Sequence, residues 1–130
     1  MNSTLKTLRL GAILLGLAVI IGAFGAHGLE GKLSDSLIKT YHTGVTYHFY
    51  HGIAVILCGI LRLTLPQLKT APIVNCFLVG ILFFSINCYL YAITHIQFFA
   101  LLVPIGGISF IVGWFWLAIS LSRVTLNAPK

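Results

Sequence analysis

The chain has 130 residues, of which 58% are hydrophobic and only 8% are charged. A soluble domain carries about 25% charged residues, so this composition excludes an ordinary globular protein and predicts a single membrane domain. The net charge of +6 comes from cations dispersed along the whole chain, which excludes the clustered basic surface that nucleic-acid binding requires.

Four apolar segments are long enough to cross a bilayer, for which a helix needs about 20 residues. They are Leu10–Leu29, Thr46–Leu65, Ile73–Thr94 and Phe98–Leu121. The sequence therefore predicts an all-α integral membrane protein, with four transmembrane helices in an antiparallel bundle. The first segment also resembles a secretory signal ending in small residues. Its apolar run is long for a signal and three further spans follow, so we predict a membrane span.

The first connection, Glu30–Thr43, is the most polar internal part of the chain. Ser34 is a plausible N-cap, and apolar residues follow it at helical spacing. This pattern predicts a short interfacial helix that bends into the second span. Pro66 and Pro72 bracket the second connection and are expected to end the neighbouring helices there.

The distribution of cations predicts the orientation in the membrane. With an even number of spans, one side carries both termini together with Lys6, Arg9, Arg62, Lys69, Arg123 and Lys130. The opposite side carries Lys32 and Lys39, balanced by Glu30 and Asp35. Because cytoplasmic connections are enriched in Lys and Arg, we predict that both termini are cytoplasmic.

Two spans carry small residues at helical spacing. On the first span, Ala18, Gly22 and Ala26 recur every four residues, and the fourth span carries Gly106 and Gly113. Small residues allow helix backbones to approach closely in membranes. We predict that these five residues are helix-packing positions.

The polar side chains of the spans collect in the outer half of the predicted bundle. At about 1.5 Å per residue, His51 lies about 16 Å and His48 about 21 Å above Arg62. By the same measure His27 lies about 27 Å above Arg9. The inner half is almost purely apolar, so any polar site is expected in the outer half.

We predict a ligand-binding pocket formed by His27, Tyr47, His48, His51 and Asn87. The three residues on the second span point in similar directions at 100° per residue. Imidazoles suit a transition metal, haem would need axial histidines from facing helices, and His/Tyr chemistry suits quinone contact or proton transfer. The apolar inner half disfavours a proton or small-solute pathway. The sequence assigns no metal site and leaves the cofactor open.

The sequence contains no recognisable set of nucleophile, base and acid. Both carboxylates lie in the first connection, and Cys58, Cys76 and Cys88 lie in apolar spans without zinc-like spacing. We therefore expect a non-enzymatic protein that acts through helix packing or as an accessory, partner-binding subunit. Its partners would be the lipid bilayer and either further copies of itself or a membrane-protein complex.

Several blocks of this sequence resemble the YgdD-like family of small membrane proteins, long catalogued as a domain of unknown function. In order along nearly the whole chain, the blocks are Gly22–Leu29, Tyr47–His51, Gly80–Ser85, Tyr89–Tyr91, Pro104–Gly107 and Gly113–Trp114. The resemblance implies a four-helix protein of the bacterial inner membrane, without an established activity, substrate or cofactor. His27, Tyr47 and His51 fall within these blocks, whereas a Gln is expected where this chain has His48.

Overall fold

The computed structural model describes residues 3–125, so Lys130, which we counted among the cytoplasmic cations, lies outside the described residues. Within that range, four helices are long and apolar enough to cross a membrane. They are Ser3–Leu29, Asp35–Thr64, Ala71–Thr94 and Gln97–Ser122, here called the first to fourth spans. The described part of the chain contains no β-strand. These helices confirm the predicted all-α class and the four spans.

The second and third spans form the inner pair of the bundle, and the first and fourth spans flank them. Half of the most apolar window is buried in each inner span, against 17% in each flanking span. The first span packs mainly on the second, the fourth mainly on the third, and the two inner spans pack on each other. The flanking spans therefore have most of their surface available for lipid.

The structure corrects the predicted interfacial helix, because this segment belongs to the second span. One helix runs from Asp35 to Thr64, and its sequence contains no proline that would interrupt it. Ser34 caps the helix as predicted, since its Oγ accepts a hydrogen bond from the Leu37 amide at 3.4 Å. A helix of 30 residues is about 45 Å long. It therefore exceeds the hydrocarbon core of about 30 Å.

Both prolines of the second connection lie where helices are interrupted, as predicted. The second span ends at Thr64, before Pro66, and the third begins at Ala71 with Pro72 in its first turn. A proline is tolerated in the first turn because its missing N–H would have no partner there.

The first span contacts the second along a seam with a seven-residue period. Its buried residues at this period are Thr4, Gly11, Ala18 and Gly25. At Gly11, an added Cβ would lie 2.5 Å from Cγ1 of Ile56. Gly22 adjoins this seam and faces Val45, whereas Ala26 is exposed. The predicted packing role is therefore corrected for Ala26, because a repeat of seven residues, not four, follows the interhelical contact.

The third span contains a π-helical turn at Ile81–Ser85, between the α-helical parts Ala71–Gly80 and Ile86–Thr94. The fourth span packs closely against this turn. A Cβ on Gly106 would overlap the backbone of Phe83 and Phe84, and a Cβ on Gly113 would lie 2.7 Å from the Phe77 ring. Both predicted glycines of the fourth span thus lie at a close helix contact.

Candidate ligand groove between the second and fourth spans

The imidazole of His51 is buried, and both of its nitrogens are hydrogen-bonded. Nδ1 lies 2.7 Å from the carbonyl oxygen of Tyr47, and the Nε1–H of Trp114 donates to Nε2 over 3.1 Å. A carbonyl only accepts and an indole only donates. Nδ1 must therefore carry the proton and Nε2 must be unprotonated, which defines one neutral tautomer of His51.

Aromatic rings enclose this imidazole. His51 stacks on Phe110 with a centroid distance of 3.4 Å and an interplanar angle of 8°. Phe110 lies directly over Gly80, where any side chain would overlap the ring. Trp114 and Phe77 approach the imidazole at tilted angles, with centroids 6.0 and 5.5 Å away. The missing side chain of Gly80 therefore provides the space in which Phe110 reaches His51.

A groove of about 520 Å³ opens beside His51, between the second and fourth spans. Its lining is mostly aromatic and aliphatic, comprising Tyr47, Tyr50, His51, Ile53, Phe84, Gly107, Phe110, Ile111 and Trp114. Tyr50, Ile53 and Ile111 are each more than half exposed, so the groove opens sideways from the bundle. Its volume falls within the range of about 300–1,000 Å³ that is usual for small-molecule sites.

His48 is also buried, but it faces a different part of the bundle. Its Nδ1 shares a hydrogen bond of 3.0 Å with the Tyr89 hydroxyl of the third span. The imidazole also lies near the backbone of Leu14 in the first span. Its Nε2 and the Ser85 hydroxyl are both buried without a hydrogen bond of standard geometry. The structure therefore places His48 between the first and third spans and separates it from the groove.

His27 does not join His51. Its side chain is exposed, in the π-helical turn Gly25–Leu29 at the end of the first span. The glycine-rich block around it has a packing explanation, since Gly25 lies against the ring of Tyr41. The Tyr41 hydroxyl donates to the carbonyl of Ile21 at 2.7 Å. This block therefore joins the first and second spans.

Asn87 is buried, and its amide supports the backbone of the third span. Its Nδ2 donates to the carbonyls of Leu82 and Phe83, each at 3.0 Å. In a π-helical turn the N–H groups bond five residues back, so a carbonyl loses its backbone partner where the α-helical pattern resumes. Asn87 supplies a donor at that point. Of the five predicted pocket residues, the structure therefore brings only Tyr47 and His51 together at the groove.

The available donor atoms do not fit a haem or a transition metal at this groove. Nε2 of His51 is the atom that would ligate, and it accepts the Trp114 N–H. His27 lies away from the groove and cannot act as the second ligand. Residues 3–125 contain no group of three His, Cys, Asp or Glu side chains arranged to hold a metal ion. What the groove offers is aromatic surface and the two phenol groups of Tyr47 and Tyr50.

Sequence reasoning missed Trp114 and Phe110, which complete the surroundings of His51. Tryptophan is typical of the aromatic belt at a membrane surface. That interpretation of Trp114 did not predict its hydrogen bond to His51. The rise of about 1.5 Å per residue could have predicted that Trp114 and His51 lie at a similar depth. Trp114 lies nine residues before Arg123, hence about 14 Å above it, close to the depth of His51 above Arg62.

A family model described as "Protein of unknown function (DUF423)" matches residues 21–107 of this chain. The UPF0382 membrane protein YwdK of Bacillus subtilis is 38% identical over 112 residues, covering 85% of this chain and 91% of the relative. The UPF0382 membrane protein SH2409 of Staphylococcus haemolyticus is 42% identical over 115 residues, covering 85% and 90%. No solved structure matches the chain.

Proposed function

The chain belongs to the DUF423 family of proteins of unknown function, whose bacterial relatives above are named membrane proteins, and from this we propose that it is a non-enzymatic binding protein of the bacterial inner membrane. Both termini are cytoplasmic. The protein takes a flat, lipid-soluble ligand sideways from the bilayer into the groove beside His51. The aromatic lining of this groove is the observation that carries the proposal.

The position of the groove favours a ligand that reaches it through lipid. Its lining runs from Trp114 to Gly107 on the fourth span, which is about 14 to 24 Å above Arg123. That depth is within the hydrocarbon core, whose thickness is about 30 Å. A water-soluble ligand would have to enter this layer, whereas a lipid-soluble one is already dissolved there.

The chemistry of the lining favours a ring that carries a hydrogen-bond acceptor. The walls include Tyr47 and Phe84, whose ring centroids are 4.6 Å apart, and aromatic surfaces of this kind stack with flat rings. The phenol groups of Tyr47 and Tyr50 can donate hydrogen bonds, and both side chains are exposed. A quinone ring has both required features, a flat apolar surface and carbonyl acceptors.

The small-residue seams give less support to the alternative of a partner-binding subunit. Gly11, Gly25, Gly106 and Gly113 all face side chains or backbone of this same chain. They are therefore occupied within the fold and do not form a free surface for a second protein. A partner helix seated in the groove is the remaining form of this alternative, and the experiment below distinguishes it.

Quenching of Trp114 fluorescence tests the proposal. The chain has two tryptophans, so Trp116→Phe leaves Trp114 as the reporter. Titration of the protein in lipid nanodiscs with a short-tailed benzoquinone should give saturable quenching. Gly107→Leu should abolish saturation, because position 107 faces the groove and a Cβ there would meet Phe84 at an ordinary 3.8 Å. Gly16→Leu is the control, since no atom lies near it.

Linear quenching that is identical in the parent and Gly107→Leu would reject a quinone site. Mass measurement in mild detergent tests for the alternative occupant of the groove, a partner helix. A second chain that is retained in stoichiometric amount and lost in Gly107→Leu, but not in Gly16→Leu, would replace the small-molecule proposal with a helix-binding one.

A further inference from the structure

A second pocket, of about 350 Å³, lies at the end of the bundle that carries the ends of the second and fourth spans. It is formed by the second connection and the end of the fourth span. Its polar lining comprises Gln67, Lys69, Ser120 and Arg123, and Trp116 forms an apolar wall. None of these residues contributes to the groove beside His51.

The pocket carries two positive charges, and no Asp or Glu is among the described residues that line it. Lys69 and Arg123 both line it and both are exposed. Of the two acidic residues of the chain, Glu30 lies between the first and second spans and Asp35 begins the second span, and both are therefore at the opposite end of that span. The third span begins at Ala71, so the positive end of its helix dipole also lies beside the pocket. The charge of this pocket therefore suits an anion.

An apolar groove of about 460 Å³ continues from this pocket along the fourth span. It shares Trp116 and Arg123 with the pocket and is otherwise lined by Ile111, Val112, Phe115 and Ile119. Ile111 lies twelve residues before Arg123, hence about 18 Å deeper. That length is close to half of a hydrocarbon core of about 30 Å, which is the depth that one acyl chain occupies.

We propose that this pocket and groove together bind one anionic phospholipid of the leaflet on that side. The phosphate lies between Lys69 and Arg123, with Ser120 and Gln67 as further hydrogen-bonding groups. An acyl chain follows Trp116 into the apolar groove. Basic pockets between spans that adjoin an apolar surface are the usual form of such lipid sites. A net negative headgroup suits this site, because within residues 3–125 its lining has two cations and no carboxylate side chain.

Native mass spectrometry of the full-length protein in mild detergent tests this inference. Phosphatidylglycerol and phosphatidylcholine with the same acyl chains are added in equal amounts. We expect preferential retention of phosphatidylglycerol. The double variant Lys69→Gln/Arg123→Gln should weaken its binding about twenty-five-fold, since each surface cation contributes roughly fivefold to the attraction of anionic lipid. Lys32→Gln/Lys39→Gln loses the same net charge at the other end and should bind as the parent does.

A second pair of variants tests the acyl-chain groove. Trp116→Ala should weaken retention of phosphatidylglycerol, whereas Phe98→Ala, at an exposed position near the other end of the fourth span, should leave it unchanged. Equal retention of phosphatidylcholine, or an equal loss in the Lys32/Lys39 variant, would overturn the proposal. Competition by inorganic phosphate that displaces the lipid completely would also overturn it, because the site would then recognise free phosphate.

Discussion

The indole N–H of Trp114 donates to Nε2 of His51 over 3.1 Å, and this bond links the fourth span to the second across the groove. The remaining nitrogen of the imidazole donates to the Tyr47 carbonyl within its own helix. A histidine near the middle of a membrane is costly unless its polar atoms are satisfied. Here a neutral imidazole meets that condition with one partner from each of two helices.

Trp114→Phe should destabilise the protein by removing this donor. The substitution leaves the buried Nε2 of His51 without a partner, and such a loss costs about 1–3 kcal/mol. Reversible unfolding in mixed detergent micelles measures the change. Trp116→Phe is the matched control, because Trp116 lies on the lipid-site side of the helix. An equal loss of stability in both variants would show that the Trp114 bond has no special role.

Gly106→Ala should disrupt the packing of the fourth span, while Gly107→Ala should be tolerated. A Cβ at position 106 overlaps the backbone of Phe83 and Phe84, which cannot move aside as a flexible side chain can. A Cβ at position 107 makes ordinary contacts, and alanine favours the helix by about 1 kcal/mol. Yield of folded protein and its unfolding midpoint measure both effects. Similar behaviour of the two variants would contradict the close contact at Gly106.

Asn87→Leu should destabilise the third span at its π-helical turn. The variant keeps a similar side-chain volume but withdraws the donor from the carbonyls of Leu82 and Phe83. In a water-free interior this costs about 1–3 kcal/mol. Amide hydrogen exchange should rise around Ile81–Ser85. Asn75→Leu, at an exposed position of the same span, is the control, and unchanged exchange in Asn87→Leu would argue against the capping role.

His95→Gly should stabilise the turn between the third and fourth spans. His95 has φ 62° and ψ 12°, which places a non-glycine residue in the left-handed region. That conformation costs roughly 1–2 kcal/mol for a residue with a Cβ, and glycine adopts it freely. The unfolding midpoint should therefore rise in His95→Gly and fall in His95→Val. A fall in both variants would indicate that the imidazole itself contributes to stability.

Cysteine labelling tests the proposed orientation. Lys32→Cys lies in the first connection and should react with a membrane-impermeant maleimide in spheroplasts. Ser122→Cys lies at the end of the fourth span and should react only after permeabilisation. The parent chain, whose three cysteines lie within the spans, gives the background. The reverse pattern would place the termini outside and contradict the distribution of Lys and Arg as a guide.

The sequence was a sound guide to the helices because their signals are local. Apolar length is a property of one continuous segment, and the Ser34 cap and the two prolines act within a few residues. The structure confirms the predictions made from each of them. The prediction of a separate short interfacial helix in the first connection was wrong, since one uninterrupted helix runs from Asp35 to Thr64.

The candidate site was harder to predict because its geometry depends on which helices are neighbours. His51 and Tyr47 share one helix, so their proximity follows from helical spacing. The pairing of His51 with Trp114 depends on contact across the bundle. Asn87 was misassigned for another reason. A π-helical turn has no distinctive sequence pattern. The sequence therefore did not indicate that the side-chain amide of Asn87 bonds to carbonyls of its own helix.

The π-helical turn at Ile81–Ser85 also determines how the third span tolerates changes in length. It accommodates one residue more than an α-helical turn. Deletion of a single residue there would restore the α-helix and rotate the two halves of the span against each other by about 100°. Phe77 and Ser85, both buried now, could not then both face the bundle. Among related chains, insertions and deletions should therefore be absent from this turn and should occur in the connections between spans.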